Sequence, residues 1–414
     1  MKKHIFPVAL CLIVILLITF SLSGRNNSPQ GPTELLHDIS ADAPLVNTIL
    51  LGEKADVYTD LSLRLLRESH SGENTLIAPL STVYGLSITT NGAGGDTLTQ
   101  LESAFGMSVS EMNEYLYSYT ARLGRSGNTL SFANSIWLHE GGEFTVNRDF
   151  LHTCATWYDT EIYETEFNDA ALEAINSWTL ENTGGSIDFP LTDFRQPDGM
   201  IILGTLLFDG YWETPFSESG NRDGIFTQED GSEVSSMYMS SIEDLYLEGE
   251  TCTGFLKPYR TDDYIFAALL PREGITIEEF LSTVNGQYMS TLFDNASEAT
   301  VYVTMPKFTS DVSLDMITAL QALGVTDVFE HGRANLTGIG SGHLCITDIR
   351  QEAAITVDEL GTRAVAAAAE AAFPASAREI LEEKYVDLNR PFVYTILETT
   401  NYTPVFLGTL MTTE

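Results

Sequence analysis

Hydrophobic residues recur along this chain with spacings that predict both helices and strands. In residues 47–70, the apolar side chains of Val57, Leu61 and Leu65 lie one helical turn apart, which is typical of a helix that buries one face. Further helices are predicted over residues 98–105, 170–182, 276–284 and 314–323. Helices are therefore expected in the N-terminal quarter of the chain, near its middle and between residues 276 and 323.

Short apolar runs alternate with these helices and predict buried strands. Residues 200–208 are almost entirely apolar, as expected of a central strand that is covered on both faces. Two apolar runs, 392–397 and 405–410, flank a polar turn, which is the pattern of a β-hairpin. Other strands are predicted over residues 129–139, 256–259, 264–270 and 300–308, and within 225–247. This alternation, without a repeat or a long internal linker, predicts one mixed α/β domain of the α+β type.

The N-terminal segment differs in composition from the rest of the chain. Two lysines precede an apolar run at residues 5–20, and small residues follow it, which is typical of a secretory signal peptide. We expect cleavage near Ser23, so that residues 1–24 are removed. A retained membrane anchor stays open as the alternative, because the run is only slightly short for a full span. Residues 25–45 are predicted to be a linker to a domain over 46–414, and the mature protein is expected to be secreted or membrane-anchored.

Composition restricts the classes of function. The 414 residues carry a formal net charge of −37, whereas DNA, RNA and heparin-like polyanions bind through basic patches. We therefore expect no nucleic acid or heparin partner. Cys154, Cys252 and Cys345 are too few to form a disulfide framework, and no spacing of His and Cys predicts a metal site. No cofactor motif and no hydrolase motif occurs, so the sequence gives no sign of an enzyme.

Residues 359–376 form the most unusual stretch, Glu-Leu-Gly-Thr-Arg-Ala-Val-Ala-Ala-Ala-Ala-Glu-Ala-Ala-Phe-Pro-Ala-Ser. One interpretation is a surface helix, since alanine is the best helix former. A surface helix needs an apolar stripe, however, and residues 364–372 offer almost nothing large to bury. The other interpretation is a segment with two states, either an exposed loop or a strand inserted into a sheet. The local sequence leaves both interpretations open.

Several short motifs, in order and spacing, resemble those of the serpin family over residues 46–414. They are Asn74-Thr-Leu-Ile-Ala-Pro-Leu-Ser81, Phe208-Asp-Gly-Tyr-Trp-Glu-Thr-Pro-Phe216, Met305-Pro-Lys-Phe308, Leu323-Gly-Val-Thr-Asp-Val-Phe329 and Asn389-Arg-Pro-Phe392. The resemblance implies the serpin fold, with a large central and mainly antiparallel sheet, further sheets and about eight or nine helices. It also implies an exposed reactive-centre loop at about residues 359–385.

The resemblance implies a suicide-substrate inhibitor of serine endopeptidases. In this mechanism the protease cuts the loop and is held as an acyl-enzyme, while the severed loop inserts as a new strand and drags the protease with it. The residues that match the inhibitory hinge pattern are Glu359, Gly361, Thr362, Ala364, Ala366 and Ala368. Because strand faces alternate, Glu370 would share the inward face with Thr362, where a carboxylate costs free energy. A non-inhibitory serpin, acting as a carrier, chaperone or substrate, stays open as the alternative.

The family's usual spacing, fifteen residues from Gly361 to Ala375, puts the reactive bond at Ala375-Ser376. A small residue before the cut suits an elastase-like serine protease, whose primary pocket is small. The loop is longer than is common in the family, so Arg378-Glu379 is the second choice and would attract a trypsin-like enzyme. A papain-like cysteine protease is a further candidate target. The protein is expected to act as a monomer.

The resemblance also implies residues that control the opening of the central sheet. Where the family usually shows Asn and His, this chain has Gly204 and Gln351. In serpins the region that contains these positions is called the shutter. We therefore expect its hydrogen bonds to involve Ser81 and Gln351 in this chain. Trp212 stands at the position of the family's tryptophan, beside the place where the hinge enters the sheet.

Overall fold

Two large β-sheets account for most of the strands, and helices pack against them. The computed structural model describes residues 31–46, 49–123, 129–141, 144–186, 190–196, 199–363 and 381–413. The helices in these ranges are α1 (Ile49–Ser69), α2 (Pro79–Thr90), α3 (Gly95–Phe105), α4 (Val109–Leu123), α5 (Arg148–Trp157), α6 (Asp169–Asn182), α7 (Ile277–Thr283), α8 (Gly286–Asp294) and α9 (Ile317–Ala322). None of them is long and apolar enough to cross a membrane.

Helix ends follow from local sequence. Proline occupies the first turn of α2, where its missing N–H has no partner to lose. Asn168 caps α6 by accepting the N–H groups of Ala170 and Ala171. At α7, Thr276 and Glu279 form a reciprocal capping box.

The strands form a seven-stranded sheet, a nine-stranded sheet and a two-stranded ribbon. They are β1 (Thr33–Glu34), β2 (Thr75–Ile77), β3 (Leu130–His139), β4 (Thr145–Val146), β5 (Glu161–Thr165), β6 (Met200–Tyr211), β7 (Arg222–Thr227), β8 (Glu233–Glu248), β9 (Cys252–Pro258), β10 (Tyr264–Pro271), β11 (Ser297–Pro306), β12 (Phe308–Asp315), β13 (Gly340–Ser341), β14 (Ile346–Val357), β15 (Gly361–Arg363), β16 (Glu383–Asp387), β17 (Phe392–Glu398) and β18 (Thr403–Leu410). The seven-stranded sheet has the order β1-β5-β3-β6-β15-β14-β12 and is mainly antiparallel. The nine-stranded sheet has the order β16-β11-β8-β9-β10-β17-β18-β2, and β7 pairs with β8.

The main core lies between the two large sheets, around α2. This helix is buried along its whole length and contacts β6 of one sheet and β18 of the other. Gly85 allows the close approach, because a Cβ there would lie 2.2 Å from Cγ2 of Ile202. A second, smaller cluster joins α6 to the opposite face of the seven-stranded sheet and contains Trp137, Ile175, Trp178, Leu191, Ile201 and Leu203.

The fold class, the central strand and the C-terminal hairpin are confirmed, and a few boundaries are wrong. Leu314 was predicted to be helical but belongs to β12. The strand continues to Asp315, and helix α9 begins only at Ile317. Helix α3 begins at Gly95, inside the predicted glycine-rich break. Within the predicted linker, Thr33–Glu34 pairs with β5, so this part is a docked strand. Residues 1–24, predicted as a signal peptide, lie outside the described ranges.

Candidate functional site

The strand β15 enters the seven-stranded sheet between β6 and β14. It is antiparallel to both, and its pairs are Gly361 with Tyr211, Thr362 with Gly210 and Val357, and Arg363 with Asp209 and Thr356. We call this place the fork. Beyond it β6 and β14 pair directly and in parallel, from Leu207 with Ala354 to Met200 with Ile346, and we call this direct pairing the seam. The alanine-rich stretch therefore starts as a strand already held in the sheet.

One carboxylate organises the turn that leads into β15. The N–H groups of Leu360 and Gly361 donate to Oδ1 of Asp358 at 2.8 and 3.2 Å, and the guanidinium of Arg363 donates to its Oδ2. The indole N–H of Trp212 donates to the carbonyl oxygen of Asp358 at 2.9 Å. Asp358, the residue after β14, thus ties the hinge to Trp212, the residue after β6.

Glu359 is clipped to the opposite side of the turn. Its carboxylate accepts hydrogen bonds from the side chains of Lys307 and Asn221, and its carbonyl oxygen accepts the N–H of Phe216 at 2.9 Å. Partial burial by itself would raise the pKa of Glu359, but the hydrogen bonds from Lys307 and Asn221 outweigh it, and the pKa lies below its usual value. Glu359 is therefore charged at neutral pH and holds the approach to the hinge.

Thr362 is the first side chain of β15 that points into the core. It is fully buried, and Tyr259 donates its hydroxyl hydrogen to Oγ1 of Thr362 at 2.7 Å. Burial raises the pKa of Tyr259 far above its usual value, so the phenol stays protonated and donates. Trp212 stacks on Tyr259 with ring centroids 4.5 Å apart. At Gly361 a Cβ would lie 2.1 Å from the carbonyl oxygen of Gly210, so only glycine fits there.

Midway along the seam, Gln351 of β14 joins the sheet to the chain entering α2. The N–H of Ala78 donates to Oε1 of Gln351 at 2.8 Å, and Nε2 of Gln351 donates to the carbonyl oxygen of Leu76 at 3.3 Å. Gln351 is fully buried and lies opposite Gly204 of β6 in the parallel register. Gln351, predicted to contribute hydrogen bonds at the shutter, thus makes two of them, and its role in the opening of the sheet stays a prediction.

Asn134 of β3 completes this row across the sheet. It pairs with Gly204, and its Nδ2 donates to the carbonyl oxygen of Ser81 at 3.2 Å. Ser81 therefore takes part in this row through its carbonyl oxygen, whereas its buried hydroxyl has no hydrogen-bond partner among the described residues. Ser81 also packs against Gly204, where a Cβ would lie 2.7 Å from that of Ser81.

We expect Gln351→Ala to destabilise the intact protein by about 1–3 kcal/mol, because it leaves the buried N–H of Ala78 without its acceptor. Chemical denaturation of the intact protein measures this change. Gln321→Ala, on the exposed surface of α9, is the control and should change the free energy of unfolding by less than about 0.5 kcal/mol. Equal stability of Gln351→Ala and the wild type would contradict the role of this hydrogen bond.

The predicted site residues fall into two groups and one undescribed set. Glu359, Gly361, Thr362 and Trp212 meet at the fork, and Ser81, Gly204 and Gln351 meet midway along the seam. The remaining predicted residues, Ala364, Ala366, Ala368, Ala375, Ser376, Arg378 and Glu379, lie outside the described ranges. Sequence reasoning missed Asp358, Tyr259 and Asn134, and it quoted Lys307 within a motif without giving it a role. A polar Asn134 inside an apolar strand was the available signal.

Comparisons with known proteins agree with this arrangement. A family model described as Serpin (serine protease inhibitor) matches residues 56–413. The leukocyte elastase inhibitor of Equus caballus is 28% identical over 366 residues, which cover 83% of this chain and 94% of that protein. Human thyroxine-binding globulin superposes with a TM-score of 0.77 over 88% of this chain and 99% of its own, and at 21% identity it shows the fold alone.

Structures of the thermophilic serpin tengpin distinguish two states of this fold. The native state superposes with a TM-score of 0.86 at 33% identity, covering 92% of this chain and 100% of that one. The latent state superposes with a TM-score of 0.75 at 31% identity, covering 90% of this chain and 100% of that one. The arrangement described above is thus closer to the native form. With a family model that matches residues 56–413, this chain belongs to the serpin family.

Proposed function

We propose that this protein is a suicide-substrate inhibitor of serine endopeptidases that traps an elastase-like protease after cleavage at Ala375-Ser376. Serpins are generally protease inhibitors rather than enzymes, and inhibitory members act on target serine proteases. The observation that carries the proposal is β15, whose three residues already pair with β6 and β14 at the fork. Insertion of the rest of the severed loop would lengthen a strand that exists, without nucleating a new one.

The pairing pattern of the seam favours that lengthening. Before insertion, β6 and β14 form one parallel ladder over the seam. A strand that continues β15 is antiparallel to both neighbours, so it replaces one parallel ladder by two antiparallel ladders. Antiparallel pairs are slightly more stable per residue, and the number of backbone hydrogen bonds across the gap doubles. Insertion is therefore downhill once cleavage frees the loop.

The register at the fork predicts where each loop residue would pair. Arg363 pairs with Asp209 and Thr356, and each later residue would pair one position further back along both strands. Ala368 would then fall between Gly204 and Gln351 at the shutter. The seam ends at Met200 and Ile346, which residues 372 and 373 would reach. Ala375 would lie just beyond this end, whereas Arg378 would leave several further residues outside. The length of the seam thus supports Ala375-Ser376.

Two other functions remain candidates. A cut at Arg378-Glu379 would make the protein an inhibitor of a trypsin-like enzyme, and the longer loop favours this alternative. Glu370 favours a non-inhibitory serpin, because continued pairing would put its carboxylate between Ile202 and Ile349, both buried in the main core. A papain-like cysteine protease is a possible target of either loop site.

The test is to mix the protein with pancreatic elastase, trypsin and papain separately and to look for a complex that survives boiling in detergent. We expect such a complex with elastase. We also expect a released C-terminal fragment whose mass corresponds to a chain that begins at Ser376. A fragment beginning at Glu379, with a trypsin complex, would replace elastase by trypsin as the target class. Complete cleavage without any covalent complex would contradict an inhibitory function.

We expect Thr362→Arg to convert the inhibitor into a substrate. Thr362 is fully buried against Tyr259, so an arginine there would bury a charge or keep the hinge out of the fork, at a cost of several kcal/mol. Elastase should still cut the loop, but the fraction of protease in the stable complex should fall at least about tenfold, since 1.4 kcal/mol is a factor of ten. Thr309→Arg, on the exposed face of β12, is the matched control and should trap protease like the wild type.

We also propose that the protein acts outside the cytoplasm, secreted after cleavage near Ser23 or anchored through residues 5–20. The composition of residues 1–24 supports this location. N-terminal sequencing of the protein recovered from the culture medium tests it. Recovery only from the membrane fraction, with residue 1 intact, would favour the anchored form.

A further inference from the structure

Residues 190–196 cross the outer face of the seven-stranded sheet, and we call them the strap. They follow α6 in the chain and precede β6. The outer face is the side opposite α2, where α6 packs on β3 and β6 through the smaller hydrophobic cluster. The strap continues from that cluster toward β14 and β12, on the far side of the seam.

The first half of the strap is fixed to the β6 side of the seam. Leu191 packs in the cluster with Ile201 and Leu203 of β6. The side chain of Asn176 in α6 holds the backbone of Leu191 at both ends: Nδ2 donates to its carbonyl oxygen at 2.9 Å, and Oδ1 accepts its N–H at 2.8 Å. This half of the strap is therefore attached to α6, β3 and β6.

The second half of the strap is fixed to the β14 side by Arg195. Its Nη1 lies 2.6 Å from Oδ2 of Asp315 at the end of β12, and its Nε lies 3.9 Å from Oδ2 of Asp348 in β14. Arg350 donates to the same Oδ2 of Asp348 at 3.0 Å. The Asp348 side chain is only 3% exposed, and its Oδ1 has no hydrogen-bond partner among the described residues. The buried negative charge of Asp348 is therefore balanced by the positive charges of Arg195 and Arg350.

We propose that Arg195 is a positioning residue that latches the far end of the seam and sets the rate at which the inserting strand completes its entry. This inference rests on the proposed function, since a latch matters only if the sheet opens. It assigns the control of opening to an ion pair between the strap and β12–β14, at the opposite end of the seam from the hinge.

The geometry of the seam explains why the latch must release. Neighbouring strands lie about 4.8 Å apart, so a fully inserted strand would move β14 and β12 by about that distance from β6. The Arg195–Asp315 pair, at 2.6 Å in the intact protein, cannot span the added distance while Leu191 stays on β6. Asp348 lies opposite Ile201, near the end of the seam. The latch therefore opposes the last part of the insertion, when residue 371 would enter.

A synthetic peptide tests the latch without a protease. The peptide has the sequence of residues 362–373 and carries a fluorophore, and its incorporation into the intact protein is followed by anisotropy and native electrophoresis. We expect Arg195→Ala and Asp315→Asn to incorporate it about fivefold faster than the wild type, as suits a partly exposed ion pair. Arg195→Lys, which keeps the charge, should restore most of the slow rate.

Arg272→Ala is the matched control. The Arg272 side chain pairs with Glu248 at 2.6 Å and is 45% exposed, as against 43% for Arg195, but it directly follows β10 of the nine-stranded sheet. The Arg272→Ala variant should incorporate the peptide at the wild-type rate. Equal rates for Arg195→Ala, Asp315→Asn and the wild type would overturn the latch while leaving the inhibitor proposal intact. Failure of every variant, including the wild type, to take up the peptide would overturn the strand insertion itself.

Salt dependence separates a latch from a merely structural side chain. Raising the sodium chloride concentration shortens the range of partly exposed ion pairs, so it should accelerate peptide incorporation in the wild type. The same change should accelerate Arg195→Ala less than the wild type, because that variant lacks the Arg195–Asp315 pair. Parallel salt responses in both proteins would contradict the role of Arg195.

Discussion

Cleavage at Ala375-Ser376 is expected to raise the melting temperature of the protein by on the order of 15 °C. The reason is the seam: the register at the fork offers pairing partners on β6 and β14 to about ten further residues. At about 1 kcal/mol net for each backbone hydrogen bond, the inserted strand stabilises the cleaved form by on the order of 10 kcal/mol. Differential scanning calorimetry of intact and elastase-cleaved protein measures the difference.

The control for this experiment is the Thr362→Arg variant after the same cleavage. Its hinge cannot enter the fork cheaply, because the position is fully buried against Tyr259. We therefore expect little or no rise in its melting temperature, although its loop is cut at the same bond. A wild-type protein that melts no higher after cleavage would show that the intact fold is not metastable, and the proposed mechanism would have to be abandoned.

Replacement of Glu370 by alanine is expected to have the second large effect. If pairing continues from β15, residue 370 falls between Ile202 and Ile349, on the face that packs against α2. A carboxylate there costs several kcal/mol in the inserted state and nothing in an exposed loop. Glu370→Ala should therefore raise the melting temperature of the cleaved form further and leave that of the intact protein unchanged.

The same change should improve trapping. After acylation, insertion competes with hydrolysis of the acyl-enzyme, so faster or deeper insertion lowers the number of inhibitor molecules consumed per trapped protease. Glu382→Ala removes the same charge on the other side of the predicted bond, where the side chain is 73% exposed, and is the matched control, with no expected change in this number. If Glu370→Ala and Glu382→Ala behave alike, residue 370 does not enter the sheet.

Polar contacts at three places along the seam oppose the separation of β6 and β14. At the fork, Asp358 and Glu359 hold the hinge in its turn. In the middle, Gln351 connects β14 to the chain entering α2. At the far end, the proposed latch joins Arg195 to Asp315. Each place uses polar contacts, which allow strands to separate without exposing large apolar side chains at the same time.

Much of the architecture followed from the sequence because periodicity reports burial directly. The apolar run at 200–208 predicted a strand covered on both faces, and β6 is covered by α2 on one side and by α6 on the other. The hairpin at the C-terminus was equally plain. The boundary at Leu314 was predicted wrongly because β12 and α9 follow each other almost directly. Residues 314–316 fit the end of a strand and the start of a helix equally well.

The sequence by itself determined the family, the hinge stretch and the small side chains that suit an inserting strand, since these depend on residue types in chain order. Only the tertiary structure decided that β15 already occupies the fork and that Arg195 reaches across the seam to Asp315. It also decided that Ser81 contributes its carbonyl oxygen, while its hydroxyl has no partner in the part of the chain that the structure describes. The physical reason is distance along the chain. Asn134 lies 53 positions from Ser81, and Arg195 lies 120 positions from Asp315. Such contacts depend on how sheets and helices pack, and no local pattern records that packing.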